Sequence, residues 1–145
     1  MKITTAEITV NTTGENELIE ITEKVQDAIT KAEINNGIAL VYSQHTTASV
    51  LINEYERGFF HDLKNSLSRL APKNLSYQHN DLQLRNAPPE ERKNGHSHIL
   101  ASLIGGSQVI PVVNGKLKLG TWQSIFLIEL DAARYRTVEI MVIGE

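Results

Sequence analysis

The chain has no cysteine among its 145 residues, and it has no long run of apolar residues either. Without cysteine there is no disulfide, no thiolate metal site and no thiol nucleophile. A membrane-spanning helix needs about 20 consecutive apolar residues, which this sequence does not offer. The first residues also lack the apolar stretch of a signal peptide. We therefore expect a soluble cytoplasmic protein with no membrane partner.

An excess of charge of one sign is missing as well. The 14 Lys and Arg residues and the 17 Asp and Glu residues leave a net charge of −3, with no basic block. Nucleic acids and anionic lipids are bound through clustered positive charge. The composition therefore gives no reason to expect a nucleic-acid partner.

What is present is an ordinary globular composition, with 41% hydrophobic and 21% charged residues. This length is typical of one domain, here residues 1–145. The hydrophobic periodicity predicts an α+β fold, with β-sandwich-like twisted antiparallel sheets and two main helices packed outside. The expected strands are 2–12, 18–21, 37–42, 45–53, 107–113, 116–131 (with a bulge near Gly120 as an alternative) and 136–143. The expected helices are 23–34, 59–70 and 97–104, with a strand as the alternative for 97–104, and a mobile loop is expected at 83–94.

Three local signals refine this prediction. Asn114-Gly115 lies between two strand patterns and predicts a tight hairpin. Thr22 is the expected N-cap of the first helix, which has one apolar face. The continuous apolar run 37–42 predicts a strand covered on both faces. The apolar face of the first helix consists of Val25, Ala28, Ile29 and Ala32.

Two carboxylates fall inside the long predicted strand. Glu129 and Asp131 share a strand face with Gln123. A carboxylate is costly to bury unless a cation pairs with it. We therefore expect Arg134 or Arg136 to form ion pairs with these residues.

Histidines are the most promising chemical groups. His45 begins a polar run, His79 lies in an irregular segment, and His98 lies where a loop enters the third helix. Imidazoles from separate segments are the usual zinc ligands when cysteine is absent. His45, His79 and His98 are therefore predicted to bind a divalent metal, zinc or manganese, with magnesium as the alternative. A lone histidine is usually a surface residue, so the prediction depends on all three sharing one site.

Other polar residues are candidates for catalysis or substrate binding. Asp62, Glu54 and His98 are the candidate catalytic residues, with a solvated helix face as the alternative for Asp62. The start of the third helix, near Asn94, is a candidate anion site because its N–H groups lack helical partners. The candidate substrate contacts are Thr47, Ser49, Arg69 and Gln123.

Several motifs together resemble the secondary thiamine-phosphate synthase family. They are His45-Thr-Thr-Ala-Ser49, Asn53-Glu54, Asp62, Tyr77-x-His79-Asn80, Asn94-Gly-x-x-His98 and the segment from Ser107 to Ile125 that contains Gly120-Thr-Trp-Gln. The resemblance covers almost the whole chain. Residues 81–93 form a longer stretch than is usual in that family, and His96 is an additional imidazole.

The resemblance implies a compact β-rich fold assembled as a homotrimer, with pockets near the subunit boundaries. It also implies a metal or anion site on the matching histidines. The implied activity joins a pyrimidine pyrophosphate to a thiazole phosphate and releases pyrophosphate. Imidazoles suit zinc, manganese or iron better than magnesium, so a metal-dependent hydrolase is an alternative. Two further alternatives are a non-catalytic trimer that binds a small phosphorylated metabolite, and a role of the motif residues in assembly alone.

Overall fold

The computed structural model describes residues 1–145 as two antiparallel sheets and three α-helices. The larger sheet has the strand order β1-β8-β3-β5-β6, and the smaller sheet has the order β2-β7-β4. The α+β fold is therefore confirmed. The elements are β1 Lys2–Asn11, β2 Leu18–Glu20, α1 Thr22–Ala32, β3 Gly37–Ser43, β4 Ala48–Asn53, α2 Arg57–Leu70, a 3-10 turn Gln78–Asn80, α3 Gly95–Ile104, β5 Ser107–Val113, β6 Lys116–Leu117, β7 Ser124–Glu129 and β8 Tyr135–Gly144.

The main core lies between the inner face of the larger sheet, the smaller sheet and α1. Strand residues at alternate positions, such as Val41, Ile110 and Ile140, are buried there. The predicted apolar face of α1 is buried against them, which confirms that helix. Burying apolar area at about 25 cal/mol per Å² is the main source of stability in such a core. None of the helices is both long enough and apolar enough to cross a lipid bilayer.

The predicted strand 116–131 is divided between the two sheets. Its first part, β6, pairs with β5 in the larger sheet, whereas β7 lies in the center of the smaller sheet. The chain turns between them at Gly120, whose backbone N–H donates to Gln123 Oε1 at 2.8 Å. The prediction of one long strand was wrong because the chain leaves the larger sheet after β6 and enters the smaller sheet at β7.

The hairpin prediction is confirmed, and the cap prediction is wrong. Asn114 and Gly115 have φ angles of 52° and 72°, as a tight hairpin turn requires. Helix α1 has no side-chain cap. The Thr22 hydroxyl instead accepts a hydrogen bond from the Ile125 backbone N–H at 2.9 Å, which ties α1 to β7.

Strand β3 is covered on one face only, contrary to the prediction. Ala39, Val41 and Ser43 face the core, while the residues between them are partly or fully exposed. The exposed residues belong to the outer sheet face, which we define by its exposed apolar members. These are Ile3, Ile38, Tyr42, Val109 and Val113.

Candidate functional site

Two of the predicted imidazoles line one open pocket of about 260 Å³. His45 follows the end of β3, and His98 projects from the first turns of α3. His79, from the 3-10 turn, packs against His98 with ring centroids 4.3 Å apart and an angle of 53° between the ring planes. The fold therefore brings the three histidines to the same region. The remaining residues of the pocket are Thr46, Ala48, Ala101, Ser102 and Gly106.

A chain of hydrogen bonds determines the orientation of His79. Asn94 donates from Nδ2 to Asp131 Oδ2 at 2.9 Å, and its Oδ1 lies 3.2 Å from His79 Nε2. An ionised carboxylate can only accept, so the amide nitrogen of Asn94 must face Asp131 and its oxygen must face His79. His79 Nε2 therefore carries the hydrogen and donates it. The Nδ1 of a neutral His79 is left with a free lone pair.

Asp131 is held ionised by the groups around it. Its side chain is 2% exposed, and Arg92 binds both of its oxygens at 2.9 to 3.1 Å. Arg134 adds a contact of 2.5 Å. Burial alone would raise the pKa of Asp131, but the hydrogen bonds from Arg92 and Asn94 and the two guanidinium charges lower it. The predicted pairing of Asp131 with an arginine is confirmed.

His45 has a different role from His79. Its Nε2 accepts the backbone N–H of Thr137 at 2.8 Å, so the neutral ring carries its hydrogen on Nδ1. Burial, followed by the nearby positive charge of Arg136, lowers the pKa of His45. Burial and the adjacent His79 likewise lower the pKa of His98. Both lowered values favour neutral imidazoles at neutral pH.

Two of the three predicted ligands, His79 and His98, are suited to binding a divalent ion. His79 presents a lone pair whose direction is set by Asn94, the arrangement typical of a metal-binding histidine. His98 is neutral and lies in contact with it. No group of three or more His, Cys, Asp or Glu residues that could hold a metal occurs in the structure. The predicted set of three ligands is thus not assembled, and His45 departs from it because the Nε2 lone pair is already bonded to Thr137.

Two of the candidate substrate contacts are buried structural residues. Thr47 accepts a hydrogen bond from Arg136 Nη2 at 2.9 Å through its hydroxyl. Arg136 also pairs with Glu129, and both side chains are almost completely buried. Ser49 is fully buried and donates to the Ala101 carbonyl at 3.3 Å. Thr47 and Ser49 therefore have a structural role in the protein interior.

The other candidates lie outside the pocket. The Asp62 side chain is 82% exposed and contacts His61 on the surface of α2 at 3.5 Å. Glu54 and Arg69 are exposed, and neither lines any pocket with the histidines. Gln123 is exposed, and its side chain is bonded to the Gly120 turn. The structure does not bring Asp62, Glu54, Arg69 or Gln123 together with His98.

Three N–H groups at the start of α3 already have acceptors within the protein. The Gly95 N–H donates to Asn80 Oδ1 at 2.9 Å, and the N–H groups of Ser97 and His98 contact the Asn94 carbonyl. The anion-site prediction did not account for these partners. The roles of Asn94, Arg92 and Thr137 were also missed. Only Asn94 carried a sequence signal, as a polar residue next to a helix start.

Comparisons with known proteins all indicate the same protein family. Residues 6–145 match the family model described as "UPF0047 protein YjbQ-like". A UPF0047 protein of Methanothermobacter thermautotrophicus is 39% identical over 145 residues, which cover 100% of this chain and 95% of that protein. The UPF0047 protein YugU of Bacillus subtilis is 35% identical, covering 93% of this chain and 96% of that one.

Solved structures agree with the sequence relatives. A YbjQ-like protein of unknown function from Sulfolobus solfataricus P2 has a TM-score of 0.88 and 36% identity, over 99% of each chain. A hypothetical protein from Aeropyrum pernix K1 has a TM-score of 0.86 and 35% identity, covering 98% of this chain and 99% of that one. Neither the matching family model nor these relatives indicate a thiamine-phosphate synthase. The resemblance to that family was wrong, and the expected synthase and transferase activity is withdrawn with it.

Proposed function

Because this chain belongs to the UPF0047 YjbQ-like family, a name that specifies no reaction, we propose a function from the site alone. The protein is a metal-dependent hydrolase that acts on a small phosphorylated or acidic metabolite. The observation that carries this proposal is the chain of hydrogen bonds from Asp131 through Asn94 to His79. It leaves Nδ1 of His79 as the acceptor nitrogen, on a ring that packs against the neutral imidazole of His98.

Each histidine has a separate task in this proposal. His79 and His98 would hold a zinc or manganese ion, which when bound supplies Lewis-acid activation of an oxygen ligand. His45 donates its Nδ1–H to an acceptor oxygen of the substrate. The hydroxyls of Thr46 and Ser102, which line the same pocket, offer further polar contacts to a phosphate or carboxylate. Asp131 and Asn94 are positioning residues, since they act through His79.

Metal titration of untagged protein tests the first part of the proposal. We expect the wild type to bind about one Zn²⁺ or Mn²⁺ per chain in isothermal titration. His79→Ala and His98→Ala are expected to lose this binding. His61→Ala is the matched control, because His61 is exposed on α2 and contacts only surface residues. Equal binding by all four proteins would remove the metal role of the imidazole pair.

Turnover assays test the second part. Metal-loaded protein is offered a panel of small phosphate esters and carboxylic esters, and product formation is compared with that of His98→Ala. Product from the wild type alone supports hydrolysis. Thermal stabilisation by panel members without any product would instead favour the non-catalytic binding module.

We also propose that the protein assembles as a homotrimer through the outer sheet face. Contiguous exposed apolar surface on a sheet is typical of an interface, and most soluble oligomers consist of identical chains. Val109 is 58% exposed within this face, and Thr137 links the same sheet to His45. Sedimentation should show smaller particles for Val109→Lys and no change for Ser66→Lys on exposed α2. A monomeric wild type would contradict the assembly.

A cytoplasmic location is proposed with this function, since small phosphorylated metabolites are concentrated there. Cell fractionation with detection of the native protein is the test. Recovery in the membrane or external fraction would contradict it.

A further inference from the structure

Arg134 and Arg85 are two cationic side chains near the histidine pocket that have no task in the proposed function. Arg134 is bound to Asp131, whose Oδ2 accepts from Arg134 Nη2 at 2.5 Å and from Asn94 Nδ2 at 2.9 Å. Arg85 donates from Nη1 to the backbone carbonyl of His79 at 3.0 Å. Each guanidinium is therefore attached to a group that belongs to the site.

The pairing of β4 with β7 brings Asp131 and its partner close to the pocket. The Leu130 N–H donates to the Thr47 carbonyl at 3.1 Å, one position beyond the last residue pair of the two strands. Asp131 then follows at the level of Thr46, which lines the pocket. The side chain of Arg134 is 37% exposed, so a dissolved ligand can reach it.

The pKa values of two imidazoles show that both positive charges act on the pocket. Burial is the largest cause of the lowered pKa of His45, and the charge of Arg134 lowers this pKa further. Burial is also the largest cause of the lowered pKa of His98, and here the charge of Arg85 adds to the effect. Both guanidiniums therefore contribute positive potential where a substrate would bind.

Arg134 also keeps donors that the protein does not use. Arg92 contacts Asp131 through Nε and Nη2, whereas Arg134 contacts it through Nη2 alone. A guanidinium has five N–H donors, so Nε and Nη1 of Arg134 are available to a ligand. Because two arginines share one carboxylate, one positive charge of this cluster is not compensated within it. Such a cation with outward donors is suited to binding an anion.

We propose that the substrate is a phosphate monoester whose phosphate group is bound by Arg134, with Arg85 as a second positive charge at the pocket. This inference rests on the proposed function, because it takes the histidine pocket as the substrate site. A phosphate monoester has three terminal oxygens and a charge of about −1.5 to −2 at pH 7. A carboxylate has two oxygens and one charge, so it gains less from the two guanidiniums. Hydrogen bonds between guanidinium and phosphate are about twice as strong as those between neutral groups.

Inorganic phosphate is the probe, and acetate at equal ionic strength is the matched control ion. The titration is followed in the amide spectrum of metal-free protein, so that its result does not depend on metal binding. We expect acetate to bind about tenfold more weakly than phosphate. Arg134→Gln should bind phosphate about tenfold more weakly than the wild type, because a charge-assisted hydrogen bond is lost. Arg85→Gln loses charge alone and should weaken phosphate binding by a smaller factor.

Three further variants separate phosphate recognition from effects on the fold. Arg134→Lys keeps a cation for Asp131 but has no unused guanidinium donors, so it should lose phosphate affinity while its amide spectrum stays that of a folded protein. Arg92→Gln removes the other cation of Asp131 and should still bind phosphate. Arg69→Gln, on α2 outside the pocket, is the matched control for the loss of an arginine charge and should bind phosphate as the wild type does.

Phosphate affinities of Arg134→Gln and Arg134→Lys equal to that of the wild type would overturn the inference. An equal loss in Arg92→Gln or Arg69→Gln would overturn it too, as would acetate binding as tightly as phosphate. The two proposals can fail separately. Phosphate binding that depends on Arg134, without metal binding by His79 and His98, would remove the hydrolase alone. Metal binding without a preference for phosphate would remove this inference alone.

Discussion

Asp131 shows how a single buried carboxylate can define a site that it does not touch. It accepts from Arg92, Arg134 and Asn94, and only Asn94 passes the effect on to His79. Because the carboxylate has no donor, the Asn94 amide has one allowed orientation. Asp131 therefore determines, through Asn94, which nitrogen of the His79 ring carries the hydrogen.

Asp131→Asn tests this coupling. An amide at position 131 can donate as well as accept, so Asn94 can turn and present its nitrogen to His79. Nitrogen-15 spectra should then show a population of His79 with the hydrogen on Nδ1. Zn²⁺ affinity should fall by about 10- to 100-fold, as for other outer-shell changes. Asp62→Asn, on the exposed face of α2, should change neither quantity. An unaltered His79 spectrum in Asp131→Asn would show that the amide is held by something else.

The elements of the fold were predicted where a local pattern is sufficient. The face of α1 repeats at helical spacing, and the Asn114-Gly115 turn needs residues that tolerate positive φ. The transfer of the chain from β6 to β7 was not predicted, since it depends on the pairing of β7 with β2 and β4, which are distant in sequence. Polar Ser49 was taken for a site residue because its buried partner, the Ala101 carbonyl, is distant in sequence.

The hairpin tip also fastens helix α1 to the larger sheet. The Gly115 N–H donates to the Asn35 carbonyl at 2.9 Å, and the Gly115 carbonyl accepts from Gln26 Nε2 at 2.9 Å. Its φ of 72° is costly for any residue with a Cβ.

Gly115→Ala should therefore lower the free energy of unfolding by about 1–2 kcal/mol. Denaturant titration measures the change. Gly14→Ala is the control, because no atom lies within 4 Å of its added Cβ and its φ is not in the left-handed region. Equal midpoints for the two variants would contradict the argument from φ.

At the scale of the whole molecule, two buried carboxylates link stability to pH. Burial would raise the pKa of Glu129, but hydrogen bonds from Arg136, the Asp131 backbone and Thr12 lower it. The pKa of Asp131 is lowered as well. A carboxylate with a lowered pKa in the folded state stabilises the protein above its unfolded pKa of about 4. That contribution is lost as the pH falls through the folded value.

We therefore expect the free energy of unfolding to decrease steadily below about pH 4. Glu129→Gln should remove part of this dependence and should destabilise the protein by about 3–5 kcal/mol at pH 7, because Arg136 stays buried without its partner. Asp27→Asn on exposed α1 is the control. Thermal unfolding followed between pH 3 and about pH 7 provides the measurement. A Glu129→Gln profile parallel to that of the wild type would show that other groups control acid unfolding.

The candidate site was harder to predict than the fold, because its chemistry depends on contacts between remote segments. His79 and His98 could be selected as residue types, yet the direction of their lone pairs depends on Asn94 and Asp131. His45 was expected to bind metal, and only its bond to Thr137 shows which nitrogen is free. The sequence does not show that candidates such as Asp62 are exposed on the surface, so it could not exclude them from the site.

The order of strands in the larger sheet has a consequence for biosynthesis. β8 pairs along its length with β1 on one side and with β3 on the other, although both are synthesised long before it. Until the ribosome has released β8, these two early strands lack the neighbour that joins them and expose edges prone to aggregation. The larger sheet therefore cannot be completed before β8 has been synthesised, and the edges of β1 and β3 that face it stay unpaired until then.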